Sequence, residues 1–294
     1  MKASPRYIII SPVRNEAAHL PGTIQSIASQ TIVPAQCIIV DDGSIDNTPA
    51  ILAAAAKERP WITVVTRADR GARKPGGGVI EAFYDGFAKI ADPNWEFIVK
   101  LDGDVSFERD YFERCFAAFE ADPTLGIAGG LVCNLKNGAL VAESTIDPEF
   151  HVRGATKIYR RTCWDQLGEL IRAPGWDTLD ELKANMLNWK TRTLRDIQLI
   201  HHRPAGSKDG TWTNWVKNGR ANYIVGYHPA FMFLKAVSRI PRRPYCIAGL
   251  GLLVGFITGY LKRIPQISDK ALIHFLRREQ LKRLFFQPSL WSAR

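Results

Sequence analysis

The five cysteines (Cys37, Cys115, Cys133, Cys163 and Cys246) are scattered, with no CxxC and no zinc-ligand spacing. This argues against a zinc module and against a disulfide scaffold. Several lie in apolar runs, where a thiol behaves as a small hydrophobe, and the usage fits the reducing cytosol. No GxGxxG follows the first apolar run, so the phosphate turn of a dinucleotide oxidoreductase is missing. The same place lacks the Gly-rich, Lys/Arg-containing loop that a nucleotidyltransferase would put there. Met1 to Arg6 leads directly into a strand pattern without an adequate apolar h-region, so no signal peptide is expected. Internal repeats and low-complexity segments are also lacking.

What is present is an ordinary globular composition, 46% hydrophobic and 23% charged over 294 residues. That length suits one large domain plus an appendage. The formal net charge is +10. Such a balance can serve nucleic acid, anionic lipid or a phosphorylated small molecule. Much of the excess lies in Arg239, Arg242, Arg243, Lys262, Arg263, Arg277, Arg278, Lys282 and Arg283, flanking apolar segments. That arrangement suits a membrane surface, and no nucleic-acid partner is expected.

The first two hundred residues alternate strand and helix patterns. Tyr7-Ile8-Ile9-Ile10, Cys37-Ile38-Ile39-Val40 and Ile62-Thr63-Val64-Val65 read as strands. Leu20, Ile24, Ile27 and Ala28 recur at helical spacing, and Thr48-Pro49 opens an Ala-rich helix. The alternation predicts a parallel sheet with right-handed crossovers. Ile80 to Ile90 and Tyr111 to Glu120 read as further helices, and Gly126 to Val132 and Gly154 to Tyr159 as further strands. Cys163 to Leu170 reads as helical, and Asp177, Asp180 and Glu181 share one face of a helix that starts near Gly175. Residues 134–153 show little pattern, as a substrate-facing excursion would.

The run Phe97 to Leu101 ends in Asp102-Gly103-Asp104. In an extended segment, residues i and i+2 face the same side, so the two carboxylates can converge past the strand's C-terminal end. Open α/β sheets bind ligands there. A hard divalent cation such as Mg²⁺ or Mn²⁺ relieves the repulsion between two such carboxylates. Gly103 would leave room for a phosphate. Taken alone, the tripeptide also reads as a solvated turn.

The ordered set Ile10-Ser11-Pro12-Val13-Arg14-Asn15-Glu16, Ile39-Val40-Asp41-Asp42-Gly43-Ser44-Ile45-Asp46-Asn47-Thr48, Asp102-Gly103-Asp104 and a later acidic helix start at Asp177 resembles the family-2 glycosyltransferases. The resemblance covers about the first two hundred residues. It implies a GT-A fold, that is, a Rossmann-like, mostly parallel sheet with flanking helices, and a nucleotide-diphospho-sugar donor, UDP-sugar before GDP-sugar. It implies an inverting, metal-dependent hexosyltransferase-type enzyme. Its acceptor would be a lipid-linked or saccharide hydroxyl, in cell-surface polysaccharide or glycolipid synthesis. By the same resemblance, Pro12, Arg14 and Glu16 lie along the nucleoside, and Asp41 or Asp42 binds the base or ribose. Asp102 and Gly103 adjoin the nucleotide-sugar, and Asp104, alone or together with Asp102, holds the metal. His201 or His202 is a further metal candidate, and Arg203 and Lys208 are candidate phosphate contacts. Arg73 is a candidate for the pyrophosphate, because a guanidinium matches phosphate geometry. The family's base is the Asp of a Glu-Asp pair; here the pair reads Trp176-Asp177. Asp177 is the first candidate for base and Asp180 the second. A helix N-terminus also favours acidic residues with no catalysis, and Trp176 can stack on a sugar or pack in the core. A nucleotidyltransferase of similar fold and a noncatalytic or nucleic-acid-binding protein are the alternatives.

These expectations divide the chain into a catalytic part, 1–225, and a C-terminal apolar and basic helical segment, 226–294. Tyr245 to Leu261 carries no charge but would span only about 26 Å as a helix, short of a bilayer core. Gly251, Gly255 and Gly259 form a small-residue stripe of the kind that brings helices together in membranes. Ala271 to Arg283 reads as a basic amphipathic helix. The segment is expected to associate with the cytoplasmic side of the cell membrane, as a peripheral or single-pass protein. A buried helix or a dimer contact would read the same way in sequence.

Overall fold

A computed structural model of the chain describes residues 4–69, 71, 77–203 and 210–292. Strands β1 (Tyr7–Val13), β2 (Gln36–Asp41), β3 (Ile62–Thr66) and β4 (Phe97–Leu101) pair in parallel in the order β3-β2-β1-β4. Their side chains alternate between two cores. Tyr7, Ile9, Cys37 and Ile39 face α1 (Leu20–Ala28), α2 (Thr48–Glu58) and α4 (Tyr111–Ala121). Ile8, Ile10, Ile38 and Val40 face α3 (Gly77–Phe87) and α5 (Arg161–Leu167). Burial on both faces explains why these strands read as unbroken apolar runs.

The other half of the sheet is mixed. β8 (Thr156–Arg160) is antiparallel to β4 and to β6 (Leu125–Lys136); β9 (Lys190–His201) runs parallel to β6, and β5 (Val105–Phe107) closes the row antiparallel to β9. β6 turns back into β7 (Ala139–Ala142) through Asn137 and Gly138, both at positive φ, the pair that a tight hairpin needs. Charged side chains occupy the exposed positions of β9, so its first half carries no apolar run that marks it as a strand. Its last residue, His201, pairs with Val105, which draws the end of β9 onto the turn after β4.

The C-terminal helices are not a loose appendage. Leu179 and Leu182 of α6 (Trp176–Met186) share a buried cluster with Tyr223 of α7 (Thr211–Val225) and Phe231 of α8 (Pro229–Val237). Leu252 and Phe256 of α9 (Ile247–Leu261) and Leu276 of α10 (Lys270–Leu284) complete it. The glycine stripe of α9 lies against α7 of the same chain. A Cβ on Gly255 would lie 2.0 Å from the Val216 carbonyl oxygen, and one on Gly219 would lie 2.1 Å from that of Leu252. The two backbones touch because neither residue has a side chain. Among the described residues no helix is long and apolar enough to cross a membrane.

Candidate active site

The turn after β4 gathers charge of both signs. Lys100, on a strand buried along its whole length, extends its ammonium to the Asp102 carboxylate two residues on, on the same side of the chain. Asp104 Oδ2 accepts from Arg203 (3.0 Å), and Oδ1 faces His201 Nε2 at 3.4 Å. The same Arg203 donates to Glu16. Burial opposes ionisation of Asp104, but His201 and Arg203 outweigh it and hold the carboxyl below its usual range. Burial likewise opposes the His201 imidazolium, yet Asp104 and Glu143 raise its pKa to about 10. Glu16, unlike Asp104, is shifted upward, chiefly by burial, with Asp104 adding to it against Arg203.

Asp102, Asp104 and His201 each bring one ligand atom, all within 4.8 Å of one another. Two carboxylates and an imidazole form a donor set that a divalent cation of the Mn²⁺ kind accepts well. Glu16 Oε2 is buried beside them without a hydrogen-bond partner. The residues therefore fit a divalent metal. Of the two candidate histidines, His201 is in the group. His202 turns away, with Nε2 2.9 Å from the Ser106 hydroxyl and its ring stacked on His19. Gly103 lies tightly against the end of β1. A Cβ there would meet Val13 Cγ1 at 2.5 Å, so the glycine lets the turn pack on the end of β1.

The loops after β1 and β2 are zipped together. Asn15, at positive φ, donates its N–H to Ser44 Oγ and accepts from Ile45 N–H; Glu16 N–H donates to Thr48 Oγ1 and Ala17 N–H to Asp46 Oδ2. The adjacent aspartates divide their tasks. Buried Asp41 accepts from Ser44 N–H and holds the turn, while Asp42 pairs with Arg67 at 2.6 Å. Arg14 donates to the Asp42 carbonyl oxygen and to Asp69, and half-buried Pro12 lies in register with Val40 at the strand ends. Arg73, Lys208 and residues 206–209 lie outside the described residues.

Gly175, in the left-handed region, starts α6 and turns Asp177 into its first turn. Asp177 is half-buried, whereas Asp180 and Glu181 are buried. Asp180 accepts from Lys157 Nζ (2.7 and 2.9 Å), Tyr159 OH and its neighbour's N–H. Glu181 takes Val152 N–H, His151 Nδ1 at 2.9 Å and Lys157 at 2.7 Å. Burial disfavours the Lys157 ammonium, but Asp180 and Glu181 prevail and raise its pKa. The base's second candidate is thus fully engaged inside the fold. Trp176 is buried, with Lys100 and Lys157 ammoniums about its ring, which makes it a core residue. Gly154 joins the two centres: its carbonyl accepts from Lys100, and a Cβ on it would lie 3.6 Å from Asp177 Cβ.

Sequence reasoning missed Lys100, Lys157, His151 and Glu143. The first two carried a signal, since a lysine inside a buried strand requires a carboxylate partner. Glu143 comes from the weakly patterned stretch. It accepts from Arg153 at 3.1 Å and stands 3.5 Å from His201 Nδ1, so it orients the ring.

Several known proteins share this architecture. A mannosyltransferase, PcManGT from Pyrobaculum calidifontis in complex with GDP-Man and Mn²⁺, superposes with TM-score 0.57 at 19% identity, covering 92% of this chain and 79% of that one. S. aureus TarS 1–349 in complex with UDP-GlcNAc superposes at 0.53 and 17% identity, covering 94% and 81%. These likenesses establish a GT-A fold. In sequence, the chain is 29% identical over 147 residues to a chondroitin synthase of Pasteurella multocida (strain Pm70) and to a hyaluronan synthase of Pasteurella multocida. The match spans 50% of this chain but only 14% of each of those proteins. The profile of Glycosyl transferase family 2 matches residues 8–166, which include the loops after β1 and β2 and Asp102-Gly103-Asp104. On that match, over more than half of its length, the chain belongs to glycosyl transferase family 2.

Proposed function

We propose that the chain transfers a sugar, with inversion, from a nucleotide-diphospho-sugar to a hydroxyl of a lipid-linked or saccharide acceptor. The single observation that carries the reading is the convergence of Asp102, Asp104 and His201 at the end of β4, between the zipped nucleotide-side loops and the start of α6. Asp102, Asp104 and His201 would hold a divalent metal, Mg²⁺ or Mn²⁺. When bound, that ion supplies charge neutralisation for the departing diphosphate. Asp42 and Arg14 bound the place of the nucleoside, and Asp41 keeps their loop in shape. Asp177 takes the proton of the acceptor hydroxyl, on the other side of Gly154 from Asp102. UDP-sugar is the preferred donor and GDP-sugar the second, and relatives of the same fold hold both kinds of nucleotide. The reaction belongs to the cytoplasmic face of a cell membrane, in assembly of a surface polysaccharide or glycolipid.

The test is turnover with a panel of nucleotide-sugars and Mn²⁺. Release of nucleoside diphosphate is expected. Release of pyrophosphate would indicate nucleotidyl transfer instead.

A further inference from the structure

The net positive charge of this protein lies at one end. Residues 210–294 hold fourteen Lys and Arg against two acids, Asp269 and Glu279, and 210–268 hold no acid at all. Within that stretch α9 has two unlike faces. One buries Ala248, Gly251, Leu252, Gly255, Phe256 and Gly259. The other presents Ile247, Leu250, Val254, Ile257 and Leu261, between 39% and 76% exposed. Their spacing of three and four residues sets them in one row along the helix.

Exposed Phe233, Leu234 and Val237 of α8, and Ile240 after it, extend this apolar surface. α8 adjoins α9, since a Cβ on Gly249 would lie 2.6 Å from the Ala236 carbonyl oxygen and 2.9 Å from Ile240 Cγ1. Arg242 and Arg243 stand before α9, and Lys262 and Arg263 follow it. Among the described residues no carboxylate pairs with any of these four.

A contiguous apolar surface of this kind marks an interaction site. Its occupant is constrained by charge. A second copy docking through a two-fold axis would set these cations against the same cations, with no acid on the face to answer them. An anionic bilayer meets both demands: the apolar row enters the acyl boundary, and the flanking Arg and Lys reach lipid phosphates. With fifteen residues, α9 extends only about 22 Å, too short to span the hydrocarbon core, so it would lie in the plane.

We propose that α8 and α9 form an in-plane docking surface for a bilayer of anionic phospholipid. The inference rests on the membrane-side location in the proposed function and supplies the contact that location requires. The surface lies close to the site. Lys235 of α8 stands 4.8 Å over the ring of Tyr227, which shares a buried cluster with Leu179, two residues beyond Asp177. A membrane-held acceptor would approach from this side.

The test is co-sedimentation of the full chain with vesicles of phosphatidylcholine alone or mixed with phosphatidylglycerol. The wild type is expected to pellet with the mixed vesicles and to be released by salt. Leu250→Glu/Ile257→Glu should lower partitioning by at least roughly tenfold, and Arg242→Glu/Arg243→Glu by a similar factor on anionic vesicles only. All four side chains face solvent, so thermal midpoints should stay at the wild-type value. No binding to anionic vesicles would overturn the proposal, as would binding indifferent to Leu250→Glu/Ile257→Glu or a dimer that this variant dissolves. Stabilisation by nucleoside diphosphate without vesicles reads the donor site separately, so failure here leaves the catalytic reading standing.

Discussion

Asp177 and Asp180 lie on the same turn of α6, yet their surroundings assign them opposite consequences on mutation. Asp177 is half-buried, and its carboxylate is not the partner of Lys157. Asp177→Asn should therefore lower kcat by about 10²–10⁴-fold while leaving thermal stability and nucleotide binding intact. Asp180→Ala removes one of the two carboxylates that pair with the buried Lys157 ammonium, each at 2.7 Å. Such removals cost about 3–5 kcal/mol, so chemical denaturation should show a loss of that order. If Asp177→Asn keeps wild-type turnover with the correct donor, the assignment of the base is wrong. His151 gives a pH expectation. Burial pulls its pKa down, but Glu181, with Asp177 and Asp147 adding to it, raises it to about 9. A folded pKa above the unfolded value of about 6.5 means that the stabilisation is complete below that pH and is lost as pH rises through 9. Unfolding free energies from urea titrations at pH 6 and pH 10 should converge in His151→Gln relative to wild type, by no more than about 3 kcal/mol.

Each strand that reads as an unbroken apolar run (β1, β2 and β4) is buried on both faces, which is why the parallel half and its strand-end carboxylates were legible in sequence. The same periodicity said nothing about which strands pair in the mixed half. The position of His201 depends on the β5–β9 pairing, and that register is set by tertiary contact. Glu143 was hidden for the same reason, since an exposed hairpin has no core-facing pattern to reveal it. α7 passed unnoticed because the face it turns to α9 mixes Trp215, Val216 and Tyr223 with Gly219 among polar neighbours, which makes no continuous apolar stripe. The glycines of α9 were visible as a stripe, but sequence could not name the helix they meet. That contact gives a further expectation. Gly255→Ala forces a methyl against the Val216 carbonyl and should destabilise by about 1–3 kcal/mol, whereas Gly22→Ala in α1, with nothing within 4 Å, should be neutral or stabilise by up to about 1 kcal/mol. Thermal melts of the two variants separate packing from helix propensity.

At the scale of the molecule, three carboxylates from two distant parts of the chain (Glu16, and Asp102 with Asp104) are held together by Lys100, His201 and Arg203. That balance of charge is what a divalent ion and a diphosphate would enter, and it is the point on which the functional account stands. The most direct measurement is the thermal midpoint of wild type and of Asp104→Asn with UDP or GDP, each with and without Mn²⁺. One of the two nucleotides should raise the wild-type midpoint only when Mn²⁺ is present, and the gain should vanish in Asp104→Asn. Stabilisation by neither nucleotide, or stabilisation that ignores both the metal and Asp104, would contradict the account.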